Sequence, residues 1–150
     1  MLKYNELKLC RSFQKCTEYY GEDIDQLNKT FLTNRLKKAK YFYIVQFDQG
    51  IKIGITGGGN SNRLDVYFKP WCKNIKKVYV IENSRLFTCF KQTEKILKKE
   101  FSGITERYSS EFFYGMTISN YTIDYIKNIL ISVIEDKNTN NIPYDNKFTK

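Results

Sequence analysis

The stretch from Tyr41 to Arg63 constrains the fold of this chain most, because it contains two apolar alternations separated by a turn signal. β-Branched and aromatic residues recur with a period of two on both sides of Asp48-Gln49-Gly50, which is typical of β-strands. A glycine at position 50 can adopt the positive φ that tight turns often require. The stretch therefore predicts a β-hairpin whose two-residue loop is Gln49-Gly50.

The register of this hairpin decides which side chains share a face. With that two-residue loop, Tyr43 pairs with Thr56 and Val45 pairs with Gly54. Tyr43, Lys52 and Gly54 then share one face, while the isoleucines of the second strand form the other face and belong to the core. A slip of one residue would separate Tyr43 from Lys52. The hairpin therefore predicts a phenol and an ammonium group beside a position without a side chain, which leaves room for a ligand.

A glycine run and a basic segment follow the hairpin. Residues 57–59 lead into a short helix predicted over 62–68, with Arg63 in its first turn. The segment after this helix has no acidic residue to offset its lysines, and its Trp71 either stacks on a base or, as we favour, packs in the core. We predict that this segment contacts a phosphate backbone through Lys69, Lys73, Lys76 and Lys77.

A carboxylate on an apolar helix face is the second informative feature. An apolar run predicts a third strand over 75–81, and Asn83 or Ser84 then caps a helix predicted over 85–101. At about 100° per residue, Glu94 falls on the apolar stripe of this helix. An ionised carboxylate there is costly without a cation or a metal. Glu94 therefore either binds a metal, or lies at the edge of the stripe and pairs with a lysine or reaches water.

The remaining segments are predicted to be mainly helical. Residues 1–40 form a helical extension, a last helix capped by Ser119 or Asn120 ends near residue 135, and residues 136–150 are a mobile polar tail. The chain is thus predicted to be an α+β protein, in which residues 41–135 form a small three-stranded antiparallel sheet flanked by helices. The basic end of the N-terminal extension can also contact phosphate through Arg35, Lys37 and Lys38.

Charge and composition restrict the chemistry that is available to this chain. The net charge of +9 and the pI near 9.3 favour a polyanionic partner. The absence of histidine excludes His-based triads and His metal ligands, and the four cysteines lack the spacing of a zinc site. No apolar run reaches the ~20 residues of a membrane helix, and the N-terminus lacks a signal-peptide core. We therefore expect a cytoplasmic protein of a bacterial or infected host cell, with no membrane partner.

Two motifs and an arginine that follows them resemble those of a known nuclease superfamily. Tyr43-Ile44-Val45, Lys52-Ile53-Gly54 and the following Arg63 resemble the paired motifs of the GIY-YIG nucleases, in the phage and large-DNA-virus branch whose second motif reads Lys-Ile-Gly. The resemblance covers about residues 41–113 and implies a metal-dependent DNA endonuclease that cuts both strands or nicks one. A late Ser-Glu-Phe-Phe element is similar to one of that branch, and its Glu111 is either close to the site or structural.

The resemblance also implies roles for individual residues. Tyr43 would be the general base, and Lys52 would favour its phenolate, because a free tyrosine has a pKa of about 10. Arg63 would hold the scissile phosphate. Glu94 would bind Mg²⁺ or Mn²⁺, which would act as a Lewis acid. The alternatives are an inactive nuclease fold that binds nucleic acid and a protein that binds another protein. Sequence specificity would come from the basic segments, a partner or a homodimer.

Overall fold

The computed structural model describes residues 2–7, 16–21, 34, 39–56, 75–102, 107–109 and 112–139. These residues form one antiparallel sheet and two long helices, which confirms the α+β class. The strands are β1 (Leu2–Leu7), β2 (Cys16–Gly21), β3 (Tyr41–Phe47), β4 (Gly50–Thr56), β5 (Ile75–Glu82), β6 (Arg107–Ser109) and β7 (Phe112–Tyr114). The sheet order is β1-β2-β5-β3-β4-β7-β6. The three predicted strands, β3, β4 and β5, lie at its centre, and the predicted number of strands was too small.

The β3–β4 hairpin is shifted by two residues from the predicted register. Tyr43 pairs with Gly54, and Val45 pairs with Lys52. Because side chains alternate with a period of two, a shift of two residues preserves the faces. The prediction that Tyr43, Lys52 and Gly54 share one face is therefore confirmed, although their predicted partners were wrong.

The turn of this hairpin also differs from the prediction. Asp48 and Gln49 form the loop, and Gly50 is already the first residue of β4. Gly50 does not adopt a positive φ; a Cβ at this position would instead collide with the backbone carbonyl of Phe113 in β7. The glycine is needed because a neighbouring strand approaches closely, and not because the turn requires unusual dihedral angles.

Two helices cover one side of the sheet. Helix α1 (Phe87–Ser102) follows a 3₁₀ turn, and helix α2 (Asn120–Thr139) extends past the predicted end at residue 135. The predicted caps are confirmed: the side chain of Asn83 accepts from the backbone N–H of Arg85 at 2.9 Å, and Ser119 Oγ accepts from that of Thr122 at 3.3 Å. These bonds satisfy N–H groups that have no partner within the helix.

Alternation along the central strands divides the buried residues into two clusters on opposite faces of the sheet. On the helix face, strand residues such as Phe42, Ile44 and Ile53 pack with both helices. The opposite face, here called the tyrosine face, contains Tyr19, Ala39, Tyr41, Tyr43, Val45, Ile75, Val78 and Val80. The predicted core strands are thus buried on both sides, and Tyr43 lies on the side away from the helices.

The helical extension predicted for the N-terminus was wrong for residues 2–7 and 16–21, whereas Asn34, further along, is helical as predicted. Residues 2–7 and 16–21 are the antiparallel strands β1 and β2, and β2 continues the sheet beside β5. The apolar spacing before residue 20 fits a helix poorly, whereas Thr17 and Tyr19 favour a strand. Pairing with the edge of β5 also satisfies backbone groups that an isolated segment would leave to water. Tertiary contacts therefore decided a segment whose local pattern is weak.

A buried ion pair connects β2 with α2. Glu18 is 5% exposed and accepts from the phenol of Tyr79 and, at 2.8 Å, from Lys127 Nζ. Burial, together with the hydrogen bond and negative charge of Glu18, raises the pKa of the Tyr79 phenol, so this group stays protonated and donates. Because Glu18 is buried, its carboxylate needs both hydrogen-bond partners to replace the contacts with water that it has lost.

Removing the cation of this pair should destabilise the fold. Breaking a buried pair costs roughly 3–5 kcal/mol because the remaining charge stays buried. Since 24% of the Lys127 side chain is exposed, we expect Lys127→Ala to lower the free energy of unfolding by about 2 kcal/mol. Urea denaturation of Lys127→Ala and of Asn128→Ala, an exposed neighbour on the same helix, measures this difference. Equal stability of the two variants would contradict the role of the pair.

Candidate functional site

The phenol of Tyr43 lies directly above Gly54. A Cβ built on Gly54 would collide with the hydroxyl and Cζ of Tyr43 and lie 2.8 Å from its Cε2. The ring therefore leans from β3 across to β4 and occupies the space that the missing side chain leaves. We expected Gly54 to keep this face open for a ligand, and that expectation was wrong because Tyr43 fills the space. The two motifs form one local unit in which the glycine is required by the tyrosine.

Lys52 lies on the same face as Tyr43, two residues before Gly54 in β4. It pairs with Val45 on one side and with Phe112 of β7 on the other, and it is half-buried. Tyr43 itself is only 1% exposed, and its ring is tilted against Tyr41 at a centroid separation of 6.0 Å. The phenol is therefore held in a fixed position but is shielded from solvent.

The sequence reasoning missed a carboxylate on the tyrosine face. Glu82 is the last residue of β5 and pairs in register with Tyr41. It lies two residues after Val80 and therefore on the same face of the sheet. It is 9% exposed and accepts from the hydroxyl of Tyr19 at 3.1 Å. The signal was present, because Glu82 continues the alternation of the strand, but the predicted strand ended one residue earlier.

Glu94 lies on α1 with most of its carboxylate shielded from water. Its side chain is 16% exposed, and its Oε1 accepts from Lys98 Nζ at 3.1 Å, one turn further along the helix. Lys98 is a second residue that the sequence reasoning missed, although the spacing of four residues could have indicated it. Glu94 therefore occupies the edge of the apolar stripe and has a cation as its neighbour.

The side of α1 that carries Glu94 faces the outer edge of β4. Helix α2 lies towards β2, to which Lys127 binds, and it contacts α1 through the hydrogen bond between Tyr125 and Glu100. Helix α1 packs over β3 and β4. Glu94 is six residues from Glu100, about 120° around the helix, and so lies on the side away from α2.

The outer edge of β4 separates Glu94 from the tyrosine face. Strand β7 pairs with Gly50–Lys52, and none of the described strands pairs with the outer side of Ile53–Thr56. Gly54, with the phenol of Tyr43 above it, belongs to this part of the strand. The described residues thus bring Tyr43, Lys52 and Gly54 together on one face. They place Glu94 on the opposite face, towards the same edge.

Two of the predicted phosphate contacts can be located. Lys76 and Lys77 lie in β5 rather than in a loop, and Lys76 Nζ forms an exposed ion pair with Asp48 at 3.1 Å. Lys77 pairs in register with Gln46. The predictions for Arg35, Lys37, Lys38, residues 57–59, Arg63, Lys69, Trp71, Lys73 and Glu111 fall outside the described residues.

The described residues fit a divalent cation only as a site with fewer than three acidic or cysteine ligands. Within that part of the chain, no three acidic or cysteine side chains are grouped so that they could hold a metal. Glu94 has one oxygen bound to Lys98 and a second that could bind a cation. Mg²⁺ often binds through one or two carboxylates and keeps several waters. A cation at Glu94 would therefore take one protein oxygen and fill its remaining positions with water.

Comparisons with known proteins complete the description of the site. No protein-family model matches the chain, and neither a curated protein nor a solved structure matches it. Neither of the two described helices is both long and apolar enough to cross a membrane. The function of this chain is therefore inferred from its residues and their geometry.

Proposed function

We propose that this protein is a metal-dependent endonuclease that hydrolyses phosphodiester bonds in DNA. The observation that carries the proposal is the packing of Tyr43 over Gly54, with Lys52 on the same face. This packing explains why the two motifs that resemble those of the nuclease superfamily need a tyrosine in one strand and a glycine opposite it. The net charge of +9 supports a polyanionic substrate.

Each chemical requirement of the reaction has a candidate residue in the chain. Tyr43 would take a proton from the attacking water, and the charge of Lys52 would favour the phenolate that this step needs. Arg63 would hold the scissile phosphate through two parallel hydrogen bonds. Glu94 would hold a divalent cation, which when bound would polarise a non-bridging oxygen and stabilise the leaving oxygen. Water must reach the buried phenol, so the tyrosine face would have to open during turnover.

Digestion of supercoiled plasmid tests this proposal. We expect conversion to nicked or linear DNA with Mg²⁺ or Mn²⁺, and none when EDTA is present. Mapping the new ends would then show whether one strand or both strands are cut. Plasmid that stays supercoiled with either metal, under conditions where the protein binds it, would overturn the proposal.

A second candidate is a protein that binds nucleic acid without cleaving it. Two observations favour it: Glu94 already has Lys98 as its cation, and Tyr43 is shielded from solvent. Binding to duplex DNA that weakens steeply with salt, with no cleavage in the plasmid assay, would select this candidate. Binding without salt dependence would argue against both candidates.

A further inference from the structure

Three aromatic rings form a ladder between α1 and α2. Phe101 stacks with Tyr125 at a centroid separation of 6.0 Å and an interplanar angle of 30°. Tyr125 stacks in turn with Tyr121 at 6.4 Å and 25°. Phe101 is buried, whereas Tyr121 is 79% exposed and ends the ladder at the surface. The ladder therefore offers an exposed ring on which another planar group can stack.

A small cavity adjoins this ladder. It has a volume of about 220 Å³ and is lined by the three rings together with Glu100, Met116 and Thr122. Drug-sized ligands occupy roughly 300–1,000 Å³, so this cavity suits a single planar ring system. Its walls are mostly aromatic and apolar. The Thr122 hydroxyl already donates to the backbone oxygen of Thr117 at 2.7 Å, so the Glu100 carboxylate is the wall group that could orient a ligand.

Glu100 gives the cavity a hydrogen-bonding preference. Its Oε2 accepts from the hydroxyl of Tyr125 at 3.1 Å. Partial desolvation and, to a smaller extent, this hydrogen bond raise the pKa of the Tyr125 phenol. Tyr125 therefore stays protonated, donates to Glu100 and keeps the carboxylate in place. An ionised carboxylate has about four acceptor sites and no donor, so it selects ligands that present N–H groups and repels phosphate.

We propose that Tyr121 and Glu100 bind an unpaired nucleobase, with a preference for guanine. The base would enter the cavity, where it can stack against the exposed ring of Tyr121 and present its edge to Glu100, as bases stack on aromatic side chains in single-strand binding proteins. Guanine offers adjacent N1–H and N2–H donors to the carboxylate, adenine and cytosine each offer one amino group, and thymine has carbonyl groups on both sides of its N–H. The inference relies on the nucleic-acid substrate proposed above, but it does not require cleavage.

Fluorescence anisotropy with short thymidine oligomers tests this site. Three oligomers carry a single central guanine, adenine or cytosine, and the fourth contains only thymine. EDTA is present so that cleavage cannot interfere. We expect the guanine oligomer to bind most tightly and Tyr121→Ala to weaken its binding about tenfold. Tyr121→Phe keeps the ring and should bind like the wild type. Glu100→Gln should reduce the difference between guanine and the other bases.

The outcomes separate this site from the proposed nuclease. Because Tyr121 is 79% exposed, Tyr121→Ala should keep the thermal stability of the wild type. The proposal is overturned if Tyr121→Ala binds each oligomer as tightly as the wild type does. It is also overturned if the wild type binds the four oligomers with the same affinity. Guanine-selective binding by a protein that leaves plasmid intact would support this site while rejecting the endonuclease.

Discussion

Glu94→Gln should abolish metal-dependent cleavage while the protein stays folded. The amide lacks the negative charge that holds a divalent cation, and a bound cation supplies several kcal/mol of transition-state stabilisation. We therefore expect the turnover rate to fall more than about 100-fold. The ion pair with Lys98 spans one helical turn and is partly shielded from water, so we expect its loss to cost about 1 kcal/mol, which leaves the protein folded.

Lys98→Gln is the matched control for this variant. It breaks the same ion pair but leaves the Glu94 carboxylate in place. If the pair is only structural, the two variants should behave alike in both stability and cleavage. If Glu94 holds the cation, Lys98→Gln should still cleave plasmid while Glu94→Gln does not. Cleavage by Glu94→Gln at the wild-type rate would reject the metal-binding role.

Gly54→Val should destabilise the fold more than most single substitutions. Its side chain would enter the space that the Tyr43 ring occupies, and Tyr43 is too buried to move without displacing its neighbours. Overpacking of a core costs typically 1–3 kcal/mol, and we expect a loss of about 3 kcal/mol in the free energy of unfolding. Urea denaturation monitored by circular dichroism measures this loss.

A second substitution shows whether the tyrosine is the cause. In a Tyr43→Ala background the space above position 54 is empty, and valine is favoured over glycine in a strand. Gly54→Val should then be neutral or stabilising, so the sign of its effect should change between the two backgrounds. An equal loss of stability in both backgrounds would show that contact with Tyr43 is not the reason for the glycine.

Strong local patterns predicted the centre of the fold, and weak ones failed. The strands over 41–56 and 75–82 and the helices with their Asn83 and Ser119 caps follow from alternation, helical spacing and capping chemistry. Hairpin register does not follow from alternation, because a shift of two residues satisfies the same pattern. Strand β2 depends on pairing with β5, and β1 in turn on pairing with β2, and local sequence does not encode the pairing with β5.

The candidate site shows the same division between local and long-range information. The shared face of Tyr43, Lys52 and Gly54 follows from the period of two along a strand. The packing of the phenol over Gly54 depends on the register, and so the sequence alone suggested an open surface there. Whether Glu94 can act with Tyr43 depends on how α1 packs over β4, which no motif spacing specifies.

The plasmid-nicking rate of Tyr43→Phe, compared with wild type across a range of pH, tests the central claim most directly. Phenylalanine keeps the ring above Gly54 and removes only the hydroxyl that would accept the proton. Because general base catalysis contributes typically 10²–10⁴-fold, we predict that the variant is slower by about that factor and loses the rise in rate with pH. A variant that nicks at the wild-type rate, with an unchanged pH profile, would contradict the account.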